Sequence, residues 1–379
     1  MTAKGGLKVL HLTTVHARHD QRILAKECAA LRQAGHEVML LVADGLGAEA
    51  WNGIQIHDVG ARGQRLHRMT VLPWRALRRV RRLNPDVVHI HDPELLPVAV
   101  VLSMSGKLVV YDAHEDLPRS IKSKHWLPNW LLGTVSFIAE RVENFCAGRM
   151  SAVVAATSPI AARFERPNRL VATIRNYPNL SNVPIVEPSP EPKTFCYVGA
   201  ISLHRGIMEM LRATHLAGAR LILAGRFGDE QLQATVEKLP EWNNVEYLGV
   251  VPHEEVWPIM RRAHAGLLFL HPVRNYIDSL PVKLFEYMAA GLPVLASDYA
   301  GWPDIVRSNQ TGYLADPLDA EAIARVMRRV LAEPKQAQKM GQLGRKLVLS
   351  GYSWANEANN LVKLYEQLAA GPRQKKTEL

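Results

Sequence analysis

Short apolar runs rich in β-branched and aromatic residues alternate with helical stretches along almost the whole chain. That alternation confines it to parallel α/β sheets, in which each strand is followed by a helical crossover. In the first half the runs are KVLHLTT, EVMLLVAD, IQIHDVG, DVVHIHD, LVVYDAH, AVVAAT and VATIRNY; in the second they are TFCYVGA, LILAG, VEYLGV, GLLFLH, PVLASD and GYLAD. Between the halves lies PNLSNVPIVEPSPEPK, with prolines at 178, 184, 188, 190 and 192 and no periodicity, the pattern of a stiff linker. The 379 residues exceed one ordinary core and suit two domains, which we place at 1–180 and 193–354 with the linker at 181–192 and a flexible tail, GPRQKKTEL, at 371–379. With 47% hydrophobic and 22% charged residues the chain reads as globular. No apolar run is long enough to cross a bilayer, and MTAKGGLKVLHLTT leads into a strand instead of reading as a signal peptide. Cys28, Cys146 and Cys196 have no metal or redox spacing and read as buried thiols in a reducing cytoplasm.

The densest chemistry lies in DSLPVKLFEYMAAGLPVLASD, residues 278 to 298. Pro281 at a helix start, apolar Leu284, Phe285 and Met288, and Gly291 after the last turn predict a short capped helix, followed by the strand PVLASD. At helical spacing Asp278, Val282 and Glu286 fall along one edge, so both carboxylates can address one bound molecule. An ionised carboxylate only accepts hydrogen bonds, which matches the hydroxyls of a ribose or hexose, and the unpaired first-turn amides suit a phosphate.

This segment resembles the E-x7-E motif of the retaining GT-B glycosyltransferases of family 4, with Asp278 in the first acidic place. Further matching pieces occur in family order: DVVHIHDPE at 86 to 94, VVYDAHED at 109 to 116, YVGAISLHRG at 197 to 206, LILAGRFG at 221 to 228, VEYLGVVPHEEV at 245 to 256 and YSW at 352 to 354. The resemblance implies two facing Rossmann-like domains with parallel sheets and an interdomain cleft, the first completed by a returning helix at 355–370. It also implies a nucleotide-sugar donor on the second domain, an acceptor on the first, no cofactor and no metal.

Residue by residue, the resemblance assigns Glu286 to the ribose hydroxyls, Asp278 to the transferred sugar and His114 to a place beside the reacting carbon. Arg205 stands where a diphosphate-binding lysine is usual, and its fork of donors suits phosphate oxygens. Lys283 either adds charge there or is a solvated helix lysine. Gly199, Leu280 and Val282 line the donor side; the base lies near Arg226 and Val251, where Arg226 either stacks on it or is a solvated loop residue. Ala200 replaces a common arginine, and Pro281 removes an amide that a Gly-rich version would offer. On the acceptor side, the loop TTVHARHD carries Arg18 and Asp20, with Asp20 as the N-cap of the helix QRILAKECAALRQAG that brings Arg22. His89 and His91 share one face of their strand and read as packed near its end, not as metal ligands, since no third ligand has suitable spacing.

The net charge of +10 is unevenly placed. Residues Arg62 to Arg82 hold eight arginines mixed with Leu66, Met69, Leu72, Trp74 and Leu77, and a second stretch sets Lys122 and Lys124 against Trp126 and Trp130. Basic heads with Trp and Leu between them fit an anionic membrane surface, the alternatives being a solvated arginine face or a nucleic-acid patch without a matching module. The sequence therefore points to a peripheral cytoplasmic enzyme that moves a sugar from a UDP- or GDP-sugar to a lipid-linked or glycan acceptor in surface polysaccharide or glycolipid synthesis. An epimerase of the same fold, and a non-catalytic membrane-associated protein, are the alternatives.

Overall fold

In the computed structural model, which describes residues 6–122, 128–165, 169–180, 183, 191–277, 279–299 and 301–370, every apolar run named above contains a strand. The chain divides into two units, Met1–Asn176 with Trp354–Leu379, and Tyr177–Ser353. The division falls four residues before the expected 180 because Tyr177 is buried against Phe285 and Tyr352, with ring centroids 4.9 and 5.3 Å away.

The first unit is built on β1 (Lys8–Leu12), β2 (Glu37–Val42), β3 (Glu49–Trp51), β4 (Ile54–Asp58), β5 (Val87–Ile90), β6 (Leu108–Ala113), β7 (Ala152–Ala155) and β8 (Leu170–Thr173). Their order is β3-β4-β2-β1-β5-β6-β7-β8, parallel throughout except for β3, which pairs antiparallel with β4. Alternate residues bury on opposite faces, as in a sheet covered on both sides. Leu10, Leu12, Val88, Ile90, Val109 and Tyr111 face one helical layer. Val9, Leu40, Val87 and Val110 face the first helix and the helix Trp354–Ala369, which contributes Leu361, Leu364, Tyr365 and Leu368.

The second unit is a six-stranded parallel sheet of β9 (Thr194–Val198), β10 (Arg220–Ala224), β11 (Val245–Gly249), β12 (Gly266–Leu268), β13 (Val294–Ser297) and β14 (Gly312–Ala315), in the order β11-β10-β9-β12-β13-β14. Both orders reverse once, between β1 and β5 and between β9 and β12. In doubly wound sheets such reversals open a crevice at the carboxyl ends of the strands, where ligands bind. Cys28, Cys146 and Cys196 are buried free thiols. No helix among the described residues is long and apolar enough to cross a membrane.

Candidate active site

In the second unit the carboxyl ends of β9 and β10 are drawn unusually close. Gly199 N donates to Ala224 O at 2.7 Å, and a Cβ on Gly225, whose φ is +146°, would fall 1.8 Å from Gly199 O. Gly199, at φ +141°, leaves room for Lys283, since a Cβ there would lie 1.9 Å from the lysine Cε. The two glycines thus let the lysine stem lie across the end of β9. Arg205 follows in the next loop, held in place by Gly206, at φ +74°, where a Cβ would meet Phe269 O at 2.2 Å. Its guanidinium sits 5.6 Å from the Tyr276 ring centre. Burial works against the Arg205 charge, but the Tyr197 and Tyr276 hydroxyls more than offset this. Burial lowers the Lys283 ammonium from its usual value; Glu286 opposes the shift and Arg205 adds to it. Lys283 and Glu286 share one helix, Lys283 lies against Gly199 at the end of β9, and Arg205 in the loop after β9 adds to the cation character there.

Lys283 and Glu286 stand on the helix Val282–Ala289. Its stop is as expected: Gly291, at φ +76°, donates to Met288 O at 2.9 Å and Leu292 N donates to Tyr287 O at 3.0 Å, a Schellman closure. Its start is not. Residues 279–281 are outside any helix and Pro281, at ψ 121°, occupies the cap position. A proline keeps the residue before it out of the helical region, so no continuous helix aligns Asp278 with Val282 and Glu286. Asp278 itself lies outside the described residues. No side chain caps the first turn, whose amides suit an anion. Leu280 and Val282 are half-buried beside this turn, Val251 is half-buried, and Arg226 is exposed, its carbonyl accepting from Ile201 N at 2.9 Å.

Sequence reasoning missed Tyr287. Its ring passes over Gly266, where a Cβ would lie 2.3 Å from the ring, and its hydroxyl accepts from Val198 N at 3.2 Å. The phenol thereby satisfies the last amide of β9, beyond the single register contact of β9 with the short strand β12. Tyr276, beside Arg205, was also missed; no spacing in the sequence connects it to the LHRG loop.

In the first unit a buried polar group fills the carboxyl ends of β1, β5 and β6. His11 and His89 are register partners on β1 and β5, and His89 pairs with Val110 on β6, so His11, His89, His91, Asp112 and His114 all project to one side. His89 Nδ1 lies 2.9 Å from Tyr365 Oη, His11 Nδ1 2.9 Å from His91 Nε2, and His91 Nδ1 3.0 Å from His114 Nε2. Burial keeps all three inner rings below their usual pKa, His91 at about 4, and their mutual repulsion adds to this for His11 and His89. Asp112 is fully buried; burial opposes its ionisation, but Arg22 and His114 hold it well below the usual carboxylate range. Arg22 Nη2 donates to Asp112 at 3.0 Å, and Arg22 Nε lies 3.0 Å from Glu27 Oε1. Burial and the Asp112 charge push Glu27 well above its usual value.

The first helix opens with a widened turn, Glu27 N donating to Arg22 O at 2.9 Å across five residues, and that turn carries both Lys26 and Glu27 into the interior. His11, Glu27, His89 and His91 accordingly bring ligand atoms within 4.8 Å of one another. The spacing reason given above for setting aside a metal is therefore overtaken, because strand β1 and the helix supply the partners that the strand β5 lacks. The His91 ring stacks on those of His11 and His89 at 5.1 and 4.8 Å with 17 and 19° between planes, while His11 and His89 are tilted by 36° at 4.6 Å. His11, His91 and His114 form a hydrogen-bonded relay, whereas His11 Nε2 and His89 Nε2 are buried without a hydrogen-bond partner among the described residues and remain candidate ligand atoms.

His114 ends this relay half-exposed, its Nε2 3.0 Å from Asp112 Oδ2. His16, not singled out in the sequence, lies with its ring 5.0 Å from His114, and Asp20 and Asp92 raise its pKa against the opposing effect of burial. Asp20 Oδ1 accepts from the amides of Arg22 and Ile23 at 2.8 and 2.9 Å, a capping arrangement. Arg18 forks onto Asp44 at 2.7 Å and reaches Glu49 at 2.8 Å. Arg18 and Arg22 are thus both engaged by carboxylates of their own unit.

Comparison with known proteins bears on both units. Residues 21–176 match the model of the glycosyl transferase 4-like domain, and residues 182–347 match that of the glycosyl transferases group 1. The chain is a GT-B glycosyltransferase. It is 25% identical over 345 residues to glycogen synthase of Mycobacterium tuberculosis (strain CDC 1551 / Oshkosh), covering 87% of this chain and 78% of that protein. The glycosyltransferase fold superposes on sucrose-phosphate synthase from Thermosynechococcus elongatus with a TM-score of 0.75 at 20% identity, over 96% of this chain and 99% of that one. It also superposes on Anabaena HepE in complex with UDP-glucose, at 0.70 and 16%, over 96% and 100%.

Proposed function

We propose that this glycosyltransferase moves a sugar from a UDP- or GDP-sugar to a lipid-linked or glycan acceptor at the inner face of the cytoplasmic membrane, with retention of anomeric configuration and without a metal or cofactor. The observation that carries the donor half of this reading is the cation pair Arg205 and Lys283 beside the uncapped first turn of Val282–Ala289, at the sheet reversal where a phosphate would be expected. A solved structure of the same fold holds UDP-glucose, which supports the donor class. Glu286 accepts from the ribose hydroxyls, and Asp278 is assigned to hydroxyls of the transferred sugar. The base rests near Arg226 and Val251.

In the reaction the acceptor hydroxyl bonds to the anomeric carbon from the face that the nucleoside diphosphate leaves, and a departing phosphate oxygen takes the hydroxyl proton. The chain supplies orientation, with Arg205, Lys283 and the helix amides stabilising the charge that grows on the diphosphate. His114, held by Asp112, is assigned to the reacting carbon. Arg18, Asp20 and Arg22 act on the acceptor side by fixing the loop that carries His16.

A thermal-shift screen of UDP- and GDP-sugars tests the reading, since a donor that binds the folded state raises the melting temperature by mass action. We expect one nucleotide class to raise it and Glu286→Ala to abolish the rise. An unchanged rise in the variant removes Glu286 from the ribose site. Incubation with donor alone separates transfer from epimerisation: a transferase shows slow hydrolysis, an epimerase turns the donor over unaided.

A further inference from the structure

The helix Asn129–Ala147 in the first unit is apolar on the side that faces away from its own core. Trp130, Phe137, Ile138, Val142 and Phe145 are 78, 56, 55, 50 and 59% exposed. At 100° per residue they fall in one stripe with Arg141, while Ser136, Glu143, Cys146 and Ala147 are buried opposite. A soluble surface helix normally shows the reverse pattern, and a contiguous exposed apolar patch on this scale marks an interaction site. The cations on it are arranged to coexist with the rings: Arg141 Cζ stands 4.9 Å over Phe137, and Arg149, just past the helix, 3.5 Å over Phe145. The acids of the helix are turned from the stripe, Glu143 buried on Arg163 at 2.6 Å and Glu140 4.0 Å from the same arginine.

The neighbouring helices extend this surface. The helix Asn129–Ala147 packs against Leu96–Met104, and that helix against Leu72–Leu83, all on the same face of the sheet. In Leu72–Leu83 the apolar positions Leu72, Ala76, Leu77 and Val80 are buried, and Trp74, Arg75, Arg78, Arg81 and Arg82 are exposed. Of the apolar residues of the arginine-rich stretch, Leu72 and Leu77 therefore serve the core, whereas Leu66, Met69 and Trp74 are 75, 53 and 56% exposed. One helical layer displays an arginine face beside an aromatic and aliphatic face.

We propose that this layer docks on an anionic phospholipid surface, the outer stripe of Asn129–Ala147 inserting among the acyl chains at the interface while the arginines of Leu72–Leu83 and Arg141 and Arg149 meet the headgroup phosphates. Charge complementarity selects this occupant: a second copy of the chain would bring the same exposed cations together, whereas an anionic bilayer neutralises them and accepts the exposed rings. The proposal rests on the reading of a membrane-face acceptor and names the surface that reaches it.

The test is sedimentation of the full chain with vesicles of phosphatidylcholine alone and of phosphatidylcholine with phosphatidylglycerol. Binding to the anionic vesicles only, weakened by high salt, is the expected result. Phe137→Glu with Phe145→Glu should lower vesicle affinity at least tenfold, and Arg78→Glu with Arg81→Glu on the order of fivefold or more for each charge removed. Both variants should keep the wild-type melting temperature and the donor-induced thermal shift. Failure of the wild type to bind anionic vesicles, undiminished binding by the Phe137/Phe145 variant, or conversion by that variant of a dimer to a monomer without loss of vesicle binding would each overturn the proposal. Loss of the donor shift in the wild type with vesicle binding intact would instead sink the nucleotide-sugar reading and leave this surface standing.

Discussion

At the scale of single residues the proposed donor site rests on contacts that no longer side chain tolerates. Gly225→Ala puts a methyl group against the Gly199 carbonyl at a φ of +146°. We expect it to cost about 2–4 kcal/mol, read as a lower midpoint in urea. If Arg205 holds the diphosphate as proposed, Arg205→Ala loses charge-assisted hydrogen bonds worth about 1.5–3 kcal/mol each and should weaken UDP or GDP binding by one to two orders of magnitude in calorimetry. Arg205→Lys should recover part of that loss, as a point charge without the fork. The placement of Glu286 on its helix and of Arg205 before Gly206 was legible because their spacing to Pro281, Gly291 and Gly206 is local. Tyr276, Tyr287 and His16 were not, because each acts through a neighbour distant in sequence: Arg205, the Val198 amide and His114.

At the scale of elements every parallel strand was legible as an apolar run, and the antiparallel edge strand β3 was not. Glu-Ala-Trp is three residues long and carries no alternation, yet Asn52 and Gly53 at φ 45 and 75° form the hairpin turn that Asn-Gly specifies, so the signal was present. The helix bearing Glu286 was legible in its stop and not in its start, because Pro281 fits either the first turn or the cap and only the backbone decides. The histidine stack across β1, β5 and β6 sets a pH dependence. His11, His89 and His91 are held below their usual pKa in the folded chain, so the unfolded chain takes up protons near pH 6.5 that the folded one refuses. Stability is therefore complete above that pH and falls as the pH drops toward 4, by up to about 1.4 kcal/mol per pH unit for each histidine. Glu27, held above its usual value, works in the opposite direction and offsets part of the fall. Urea melts at pH 7.5, 6.5 and 5.5 should show the decline, and His89→Gln should flatten it by about one proton. An unaltered slope in that variant would mean that the ring titrates freely in the folded chain.

At the scale of the whole molecule the two units owe their integrity to different parts of the chain. The second is continuous from Tyr177 to Ser353, whereas the first is completed by Trp354–Ala369. Leu361 is fully buried on that helix, and Leu361→Ala should destabilise the first unit by about 2–5 kcal/mol. In calorimetry this should lower one transition and leave the nucleotide-stabilised one in place; two transitions that shift together would show that the units melt as one.

The returning helix also orders events in time. A ribosome must polymerise the 177 residues of Tyr177–Ser353 before the segment that seals the first sheet emerges, about ten to thirty-five seconds at ordinary elongation rates. During that interval the nascent sheet offers water the groove that Leu361, Leu364 and Tyr365 will later fill. The first unit can therefore close its core only after the second has been synthesised, and the second is free to mature first.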